Sequence, residues 1–202
     1  KFGEPLQYIL GTCEFMGLAL SLDERVFIPR PETEILVDVV LERIRGLEDQ
    51  RSVQFIRILD LGTGSGNIAV SLAKYGKDCA VTAVDCSSAA IEVAQGNAQR
   101  QGVADKINFL QGDLWEALKG EFEEEKFDFV ISNPPYIPSG QLAQLSTELY
   151  YEPVLALDGG EDGLDFYRRI FAGCNAVMNR YGFLILEIGD GQRPALEDIA
   201  SQ

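Results

Sequence analysis

The chain has 202 residues but contains no histidine. Without an imidazole, Ser-His and Cys-His nucleophilic catalysis are excluded, and most zinc sites lose their commonest ligand. Four cysteines are present, and none of them forms a Cys-x-x-Cys pair: Cys13, Cys79, Cys86 and Cys174. This spacing indicates neither a metal site nor a disulfide framework. We therefore expect reduced thiols in the cytoplasm or in an organellar matrix.

Long apolar runs and clusters of basic residues are missing as well. No run reaches the roughly 18 apolar residues that a membrane span needs, and there is no signal-peptide pattern. The formal net charge is −15. Stable contact with a phosphate backbone needs clustered Lys and Arg, which an acidic chain does not offer. We therefore expect neither a membrane nor a stably bound nucleic acid as a partner.

The apolar pattern of the first third predicts a hairpin followed by a helix. Residues 15–22 and 26–28 alternate between apolar and polar side chains, which predicts two paired strands with a turn at residues 23–25. Helical spacing covers residues 32–44. The polar stretch at residues 47–53 is interpreted as a loop.

Strands and helices then alternate to the end of the chain. Strands are predicted at residues 55–61, 80–84, 107–110, 127–132 and 183–188, and helices at 68–74, 87–101, 114–118 and 166–178, with Ser87 or Ser88 as an N-cap. This alternation predicts an α/β fold in which helices cover both faces of a parallel sheet. In such sheets the ligand lies at the carboxyl ends of the strands.

A glycine-rich turn follows the first of these strands. It consists of Gly62, Thr63, Gly64, Ser65 and Gly66. Alternate glycines permit a tight turn and leave no side chain between backbone and ligand. The spacing differs from a dinucleotide-binding turn, because Asn67 replaces the last glycine, and no Gly-Lys-Ser/Thr follows, which excludes a Walker loop. The turn favours a ligand without a pyrophosphate, and a purely structural turn is the alternative.

Acidic residues end the next two strands. Asp85 lies about 20 residues beyond the glycine turn, where an acidic side chain can bind ribose hydroxyls. Asp113, followed by Leu114 and Trp115, can accept a hydrogen bond from an adenine amino group while the apolar side chains contact the ring. Both aspartates could instead cap the helices that follow them.

The fourth strand end carries Asn133, Pro134, Pro135 and Tyr136. Two consecutive prolines stop the sheet and make the loop rigid. The Asn133 side-chain oxygen and the Pro134 carbonyl can accept hydrogen bonds from an NH2 group, and Tyr136 can stack on its flat face. An amide or an exocyclic amino group fits this loop, and an ordinary proline-rich turn is the alternative.

The motifs at these four strand ends, in this order, resemble those of the class I S-adenosylmethionine-dependent methyltransferases. More narrowly the chain is similar to the HemK/PrmC family, which methylates the side-chain amide of a glutamine in peptide chain release factors. The resemblance extends over nearly the whole chain and includes residues 5–11, 15–17, 27–34, 152–153 and 186–189. It implies a Rossmann-like sheet preceded by a small β-hairpin linker, S-adenosylmethionine as cofactor with S-adenosylhomocysteine as product, and a release factor as the protein partner.

The resemblance also implies roles for the candidate residues. Gly62 to Gly66 would line the methionine part of the cofactor, Asp85 would hold the ribose, and Asp113 and Leu114 would contact the adenine. Asn133, Pro134, Pro135, Tyr136 and Phe27 would bind the substrate glutamine. Asn133, Pro134 and Tyr136 would be the catalytic residues, with Asn133 also near the cofactor.

The domain organisation follows from the same comparison. The chain begins at Lys1 rather than Met, so we expect a piece of a longer polypeptide that lacks the family's N-terminal helical domain and its terminal strands. Residues 1–31 would be the remnant of that domain with the hairpin linker, and residues 32–202 the catalytic domain. A monomer is expected.

Three other functions are compatible with parts of the pattern. An adenine-N6 DNA or RNA methyltransferase uses a similar loop for a flipped base, but the acidic charge opposes it. An NAD-dependent oxidoreductase is disfavoured by the glycine spacing. A non-catalytic cofactor-binding scaffold would not need the Asn133–Tyr136 loop.

Overall fold

The computed structural model of the chain describes residues 3–50, 55–120 and 124–201, without the side chains of residues 47–50. The strands within these ranges are β1 (Thr12–Phe15), β2 (Leu18–Ser21), β3 (Ile56–Leu61), β4 (Cys79–Asp85), β5 (Ile107–Gln111), β6 (Phe127–Ser132) and β7 (Met178–Leu186). The α-helices are α1 (Leu6–Leu10), α2 (Glu32–Gln50), α3 (Asn67–Tyr75), α4 (Ser88–Gln101), α5 (Asp165–Val177) and α6 (Arg193–Ala200). Short 3₁₀ helices cover Ala104–Lys106, Leu114–Leu118, Ser139–Gln144, Leu149–Tyr151 and Val154–Ala156.

The main sheet has five parallel strands in the order β5-β4-β3-β6-β7. From β3 the chain moves outward through β4 to β5, and it then returns to the other side of β3 as β6. The direction of winding therefore reverses between β3 and β6. This reversal is the topological switch point at which parallel sheets bind their ligands.

Helices cover both faces of this sheet. On one face, Ile58 of β3 belongs to a buried cluster with Val40 of α2 and Leu72 of α3. On the other face, Leu59 lies in a cluster with Ile170 of α5. Strands that are buried on both faces have mostly apolar sequences without alternation. β3 and β6 show this pattern. The predicted α/β class is confirmed. None of the helices in the described residues is both long and apolar enough for a membrane crossing.

The predicted N-terminal hairpin is confirmed, but its strands were placed wrongly. β1 pairs with β2 in an antiparallel register that joins Thr12 to Ser21 and Phe15 to Leu18. The turn is Met16-Gly17, and both residues have positive φ, 52° and 71°, as the commonest two-residue hairpin turn requires. Val26 and Ile28 are apolar for another reason: they pack with side chains of α4.

The largest differences at other boundaries are those of α2 and β7. α2 continues to Gln50, so the predicted loop is wrong at residues 47–50, and residues 51–53 lie outside the described ranges. Leu, Glu and Gln, three of the four residues at 47–50, have high helix propensity, so polarity alone did not indicate a loop. β7 covers Met178–Leu186 rather than residues 183–188, and its register with β6 shifts between Phe127 and Phe129.

Candidate functional site

A cavity of about 560 Å³ opens at the carboxyl edge of the main sheet. All four strand ends singled out in the sequence contribute to its lining, as does the segment before α2. The predicted residues that line it are Phe27, Gly62, Thr63, Gly64, Ser65, Asp85, Asp113, Leu114, Asn133, Pro134, Pro135 and Tyr136. Gly66 is not among the lining residues. It is the N-cap of α3, and a Cβ there would lie 3.0 Å from the Ala94 Cβ, so this glycine permits close packing of α3 on α4.

The glycine turn presents bare backbone to the cavity. Gly62 and Gly64 have φ values of 75° and 55°, and a Cβ on either would meet no atom within 4 Å. The N–H groups of Gly62 and Thr63 donate to the Val84 carbonyl at 2.8 and 2.9 Å. The turn is thereby held against β4, with open space where side chains would otherwise be.

Asp85 connects the end of β4 to the glycine turn. One carboxylate oxygen accepts a hydrogen bond from the Gly64 N–H at 2.8 Å, and the other accepts one from the Ser87 N–H at 2.9 Å. Burial raises the pKa of Asp85, and these two N–H groups oppose the rise. The N-cap of α4 is Ser87, whose hydroxyl accepts from the Ala90 N–H. Asp85 thus orders the turn and is one of the residues that line the cavity.

Asp113 and Leu114 follow β5, on the other side of β3 from β6, and both line the cavity. Asp113 does not cap the following 3₁₀ helix with its side chain. Its carboxylate instead pairs with Arg169 of α5 at 2.7 Å. Leu114 has a φ of 50°, an uncommon conformation for a residue with a side chain, and it lines the cavity with its own side chain buried. The sequence analysis did not identify Arg169.

Asn97 of α4 is a second residue that the sequence analysis missed. It is fully buried, and its Nδ2 donates to the Ser65 carbonyl at 2.9 Å and to the Ser21 carbonyl at 3.0 Å. Its Oδ1 accepts from the Ser21 N–H at 2.7 Å. A single amide therefore joins the hairpin to the glycine turn, and the only sequence signal was an Asn inside a helix.

The loop from Asn133 to Tyr136 is supported from behind by a second glycine-rich turn. A Cβ on Gly159 would lie 2.8 Å from the Tyr136 Cα and 2.9 Å from the Pro135 carbonyl oxygen. The Gln192 side chain donates to the carbonyls of Tyr136 and Gly163 at 3.1 and 3.2 Å. The loop therefore owes its position to close packing as well as to its prolines.

The Asn133 side chain takes part in a network that reaches two distant segments. Its Nδ2 donates to the Thr33 hydroxyl at 3.1 Å, and that hydroxyl donates to the Glu187 carboxylate at 2.6 Å. Burial raises the pKa of Glu187, and hydrogen bonds from Thr33 and Asn133 oppose the rise. Thr33 and Glu187 lie within segments that carried the family resemblance, but the sequence analysis assigned no role to either of them.

The segment that carries Phe27 is anchored over the cavity by Glu152. This carboxylate is only 4% exposed; it accepts from the Ile28 N–H at 3.0 Å and pairs with Arg30. The Arg30 guanidinium also lies 4.4 Å from the centre of the Phe27 ring. A buried carboxylate with two partners holds a chain segment firmly, because losing Arg30 would leave its charge unpaired and losing the Ile28 N–H would remove a hydrogen bond from a buried charge.

The class of the protein follows from the fold, the site and the comparisons with known proteins. The family model described as "Methyltransferase domain" matches residues 54–162. Among solved structures, the hMettl16 catalytic domain in complex with a MAT2A 3′UTR hairpin superposes with a TM-score of 0.70, at 18% identity and with coverage of 93% of this chain and 67% of that one. That likeness shows the fold alone. The chain is a methyltransferase of the class that uses S-adenosylmethionine as methyl donor.

The particular family is given by the curated relatives. The chain is 45% identical over 198 residues to the release factor glutamine methyltransferase of Moorella thermoacetica, covering 98% of this chain and 66% of the relative. It is 40% identical to the protein of that name from Thermodesulfovibrio yellowstonii, covering 68% of it. The chain belongs to the release factor glutamine methyltransferase family, as its resemblance predicted. It spans about two thirds of the length of these relatives.

Proposed function

We propose that this protein transfers a methyl group from S-adenosylmethionine to the side-chain amide nitrogen of the glutamine in the Gly-Gly-Gln motif of peptide chain release factors. The observation that carries the proposal is the position of Asn133 beside the glycine turn. Leu61 and Ser132 are register partners on β3 and β6, so the residues that follow them start about 4.8 Å apart. A group held by Asn133 therefore lies next to a ligand held by the turn.

The residues on the β3–β5 side fit the cofactor. The backbone from Gly62 to Ser65 would accommodate the methionine part, with Gly66 behind it permitting the close packing of α3 on α4. The Asp85 carboxylate would accept hydrogen bonds from the ribose hydroxyls, and Asp113 with Leu114 would contact the adenine. When bound, this cofactor supplies a methyl group on a positively charged sulfur, so that the methyl carbon is already electrophilic.

The residues on the β6 side would hold the substrate amide. The Asn133 oxygen and the Pro134 carbonyl would accept its two hydrogens, which raises electron density on an otherwise poor nucleophile and orients it. The Tyr136 ring would stack on the amide plane, while Pro135 and Phe27 exclude water. Alignment of this kind can contribute about 7–11 kcal/mol. The proton can leave after transfer, so no strong base is needed.

The proposal extends to the surroundings of this site. Release factors would be the protein partner, and residues 32–202 would form the catalytic domain, with residues 1–31 as its linker. We propose that the protein acts as a monomer in the cytoplasm or an organellar matrix and binds no nucleic acid stably. Its net charge of −15 supports the last point.

Mass spectrometry tests the reaction directly. The protein is incubated with isotopically labelled S-adenosylmethionine and a release factor, and the peptides are analysed. We expect one added methyl group on the glutamine of the Gly-Gly-Gln motif, and no labelling of a substrate in which that glutamine is alanine. Labelling of adenine in a parallel reaction with duplex DNA or RNA, without labelling of the release factor, would contradict the proposal. Separately, S-adenosylhomocysteine should raise the melting temperature, whereas NAD should not.

A further inference from the structure

The two ends of the Asn133 carboxamide have opposite hydrogen-bonding character. The oxygen only accepts hydrogen bonds and the NH2 group only donates them. A substrate amide nitrogen that presents hydrogens needs the oxygen. Because the two ends have nearly the same shape, packing alone does not decide which of them faces the cavity.

The hydrogen-bond network around Thr33 decides it. The Thr33 side chain is buried, with 1% of its surface exposed, and its oxygen lies 2.6 Å from a Glu187 carboxylate oxygen and 3.1 Å from the Asn133 Nδ2. A hydroxyl has one proton to donate, and an ionised carboxylate can only accept. The Thr33 proton therefore points to Glu187. The lone pairs that remain on the Thr33 oxygen require a donor, which is the NH2 end of Asn133.

The backbone fixes the positions of Glu187 and Thr33 next to the end of β6. The Glu187 N–H donates to the Ser132 carbonyl at 3.0 Å, so β7 delivers the carboxylate next to the residue that precedes Asn133. Thr33 comes from the first turn of α2. A reversed Asn133 amide would place its oxygen against the Thr33 lone pairs and lose a hydrogen bond in a buried setting.

We propose that Glu187, acting through Thr33 and through its own hydrogen bond from Asn133, is a positioning residue that keeps the Asn133 oxygen turned toward the substrate amide. The proposal rests on the function proposed above. It adds that the fixed Asn133 oxygen makes the loop select a substrate group that donates hydrogen bonds, such as an NH2. Neither Glu187 nor Thr33 needs to touch the substrate for this role. Their effect on catalysis passes entirely through Asn133.

The charge state of Glu187 sets the direction of the network. The groups that face it are Glu32 and Arg30 near the start of α2, Tyr136 beside Asn133, and Tyr167 of α5, whose hydroxyl donates to the Glu187 backbone carbonyl at 2.9 Å. A protonated Glu187 could donate to Thr33 and reverse the network. We therefore expect kcat to fall on the acid side of the pH profile as Glu187 takes up a proton.

A double-mutant cycle with the release factor as substrate tests the inference. Thr33→Val and Glu187→Gln should each lower kcat, Thr33→Val by about tenfold, while the Kd for S-adenosylhomocysteine stays within about twofold. Thr33→Ser keeps the hydroxyl, so it should restore kcat to within about threefold of the wild type. Glu187→Gln should also remove the acid limb of the kcat profile. In an Asn133→Ala background, neither substitution should lower kcat further.

Two outcomes of this cycle would overturn the inference: an unchanged kcat in Thr33→Val and Glu187→Gln, or equal losses with and without the Asn133 side chain.

A second readout does not depend on turnover. The side-chain NH2 resonances of Asn133, assigned from their loss in Asn133→Ala, should shift on acidification of the wild type and stay fixed in Glu187→Gln. If these resonances shifted with pH in the same way in the wild type and in Glu187→Gln, the inference would be wrong. Failure of the proposed function would differ, because the wild type would then leave the release factor unlabelled.

Discussion

The two halves of the site are held together in different ways. We call the residues proposed to hold the cofactor the cofactor half, and those proposed to hold the substrate amide the substrate half. In the cofactor half, the hydrogen bonds of the glycine turn join neighbouring strand ends: Asp85 and Gly64 are 21 residues apart. In the substrate half, Asn133 bonds to Thr33 across 100 residues, and Thr33 bonds to Glu187 across 154. The first half is built mainly from backbone groups of one β-α-β stretch, and the second from side chains that the fold brings together.

This difference separates two kinds of sensitivity. A turn built from backbone groups tolerates many side-chain changes, provided that its glycines and the Asp85 carboxylate remain. A loop oriented by distant side chains depends on each of them. We therefore expect substitutions in the first half to change mainly cofactor affinity, and substitutions in the second half to change mainly turnover.

The largest expected effect belongs to Asn133→Ala. Loss of the acceptor that orients the substrate amide should lower kcat by about 100-fold or more, as removal of one preorganised polar partner commonly does. The Kd for S-adenosylhomocysteine, measured by calorimetry, should change by less than about threefold, because the glycine turn is intact. Full turnover in this variant would remove the basis for a separate substrate half.

Asp85→Asn should show the converse pattern. One end of the new amide is a donor, and it would face the N–H of Gly64 or Ser87, or a ribose hydroxyl, where the carboxylate accepts. The Kd for S-adenosylhomocysteine should weaken by about tenfold or more. At saturating cofactor, kcat should fall much less. If kcat fell while the Kd stayed constant, the assignment of Asp85 to the cofactor half would be wrong.

Gly159→Ala should lower kcat by about fivefold, since small displacements of positioned groups reduce rates. The added Cβ would lie 2.8 Å from the Tyr136 Cα, so the substrate loop must move. Gly140→Ala is the matched control, because a Cβ there meets nothing within 4 Å. Cofactor affinity should be unchanged in both variants. Equal kcat values for the two variants would show that the turn at residues 159–163 does not position the loop.

The smallest expected effect concerns Asp60, which is fully buried beneath the glycine turn. One of its oxygens accepts from the Thr63 hydroxyl at 2.7 Å, and the other has no partner within the described residues. Burial raises the pKa of Asp60 from 3.8 to about 7, opposed by the Thr63 hydrogen bond and increased by the Asp85 charge. The folded protein therefore keeps this proton to a higher pH than the unfolded chain does.

A folded-state pKa above the unfolded value means that folding loses stability as the pH rises from 3.8 to about 7. Asp60→Asn cannot ionise and should escape this loss. The urea midpoint of Asp60→Asn minus that of the wild type should therefore be larger at about pH 8 than at about pH 5. A difference between the two proteins that is the same at both pH values would contradict the ionisation of Asp60 across this range.

Much of the cofactor half was predictable because its signals are local. Alternating strands and helices placed the ends of β3, β4 and β5, and Gly62 and Asp85 lie at those ends as expected. The hairpin shows the limit of such signals: alternation indicated strands, but Gly17 at the turn was overlooked, and the buried Val26 and Ile28 were taken for a partner strand.

The supports of the substrate half were not predictable in the same way. Thr33, Gly159 and Gln192 occur in unremarkable local contexts, and nothing near them in sequence points to Asn133 or Tyr136. A Thr in the first turn of a helix more often serves the helix itself. Their roles depend on which groups folding brings into contact, and local periodicity carries no information on that.

By itself, the amino-acid sequence determined the class of fold, the four strand ends that carry chemistry and the family, since periodicity, glycine spacing and the Asn133–Tyr136 loop are properties of short segments. Only the tertiary structure decided which end of the Asn133 amide faces the cavity, because that choice depends on a hydroxyl and a carboxylate contributed by α2 and by the end of β7. Hydrogen-bond direction is set by the groups that meet in space, and these three segments meet only when the parallel sheet has formed.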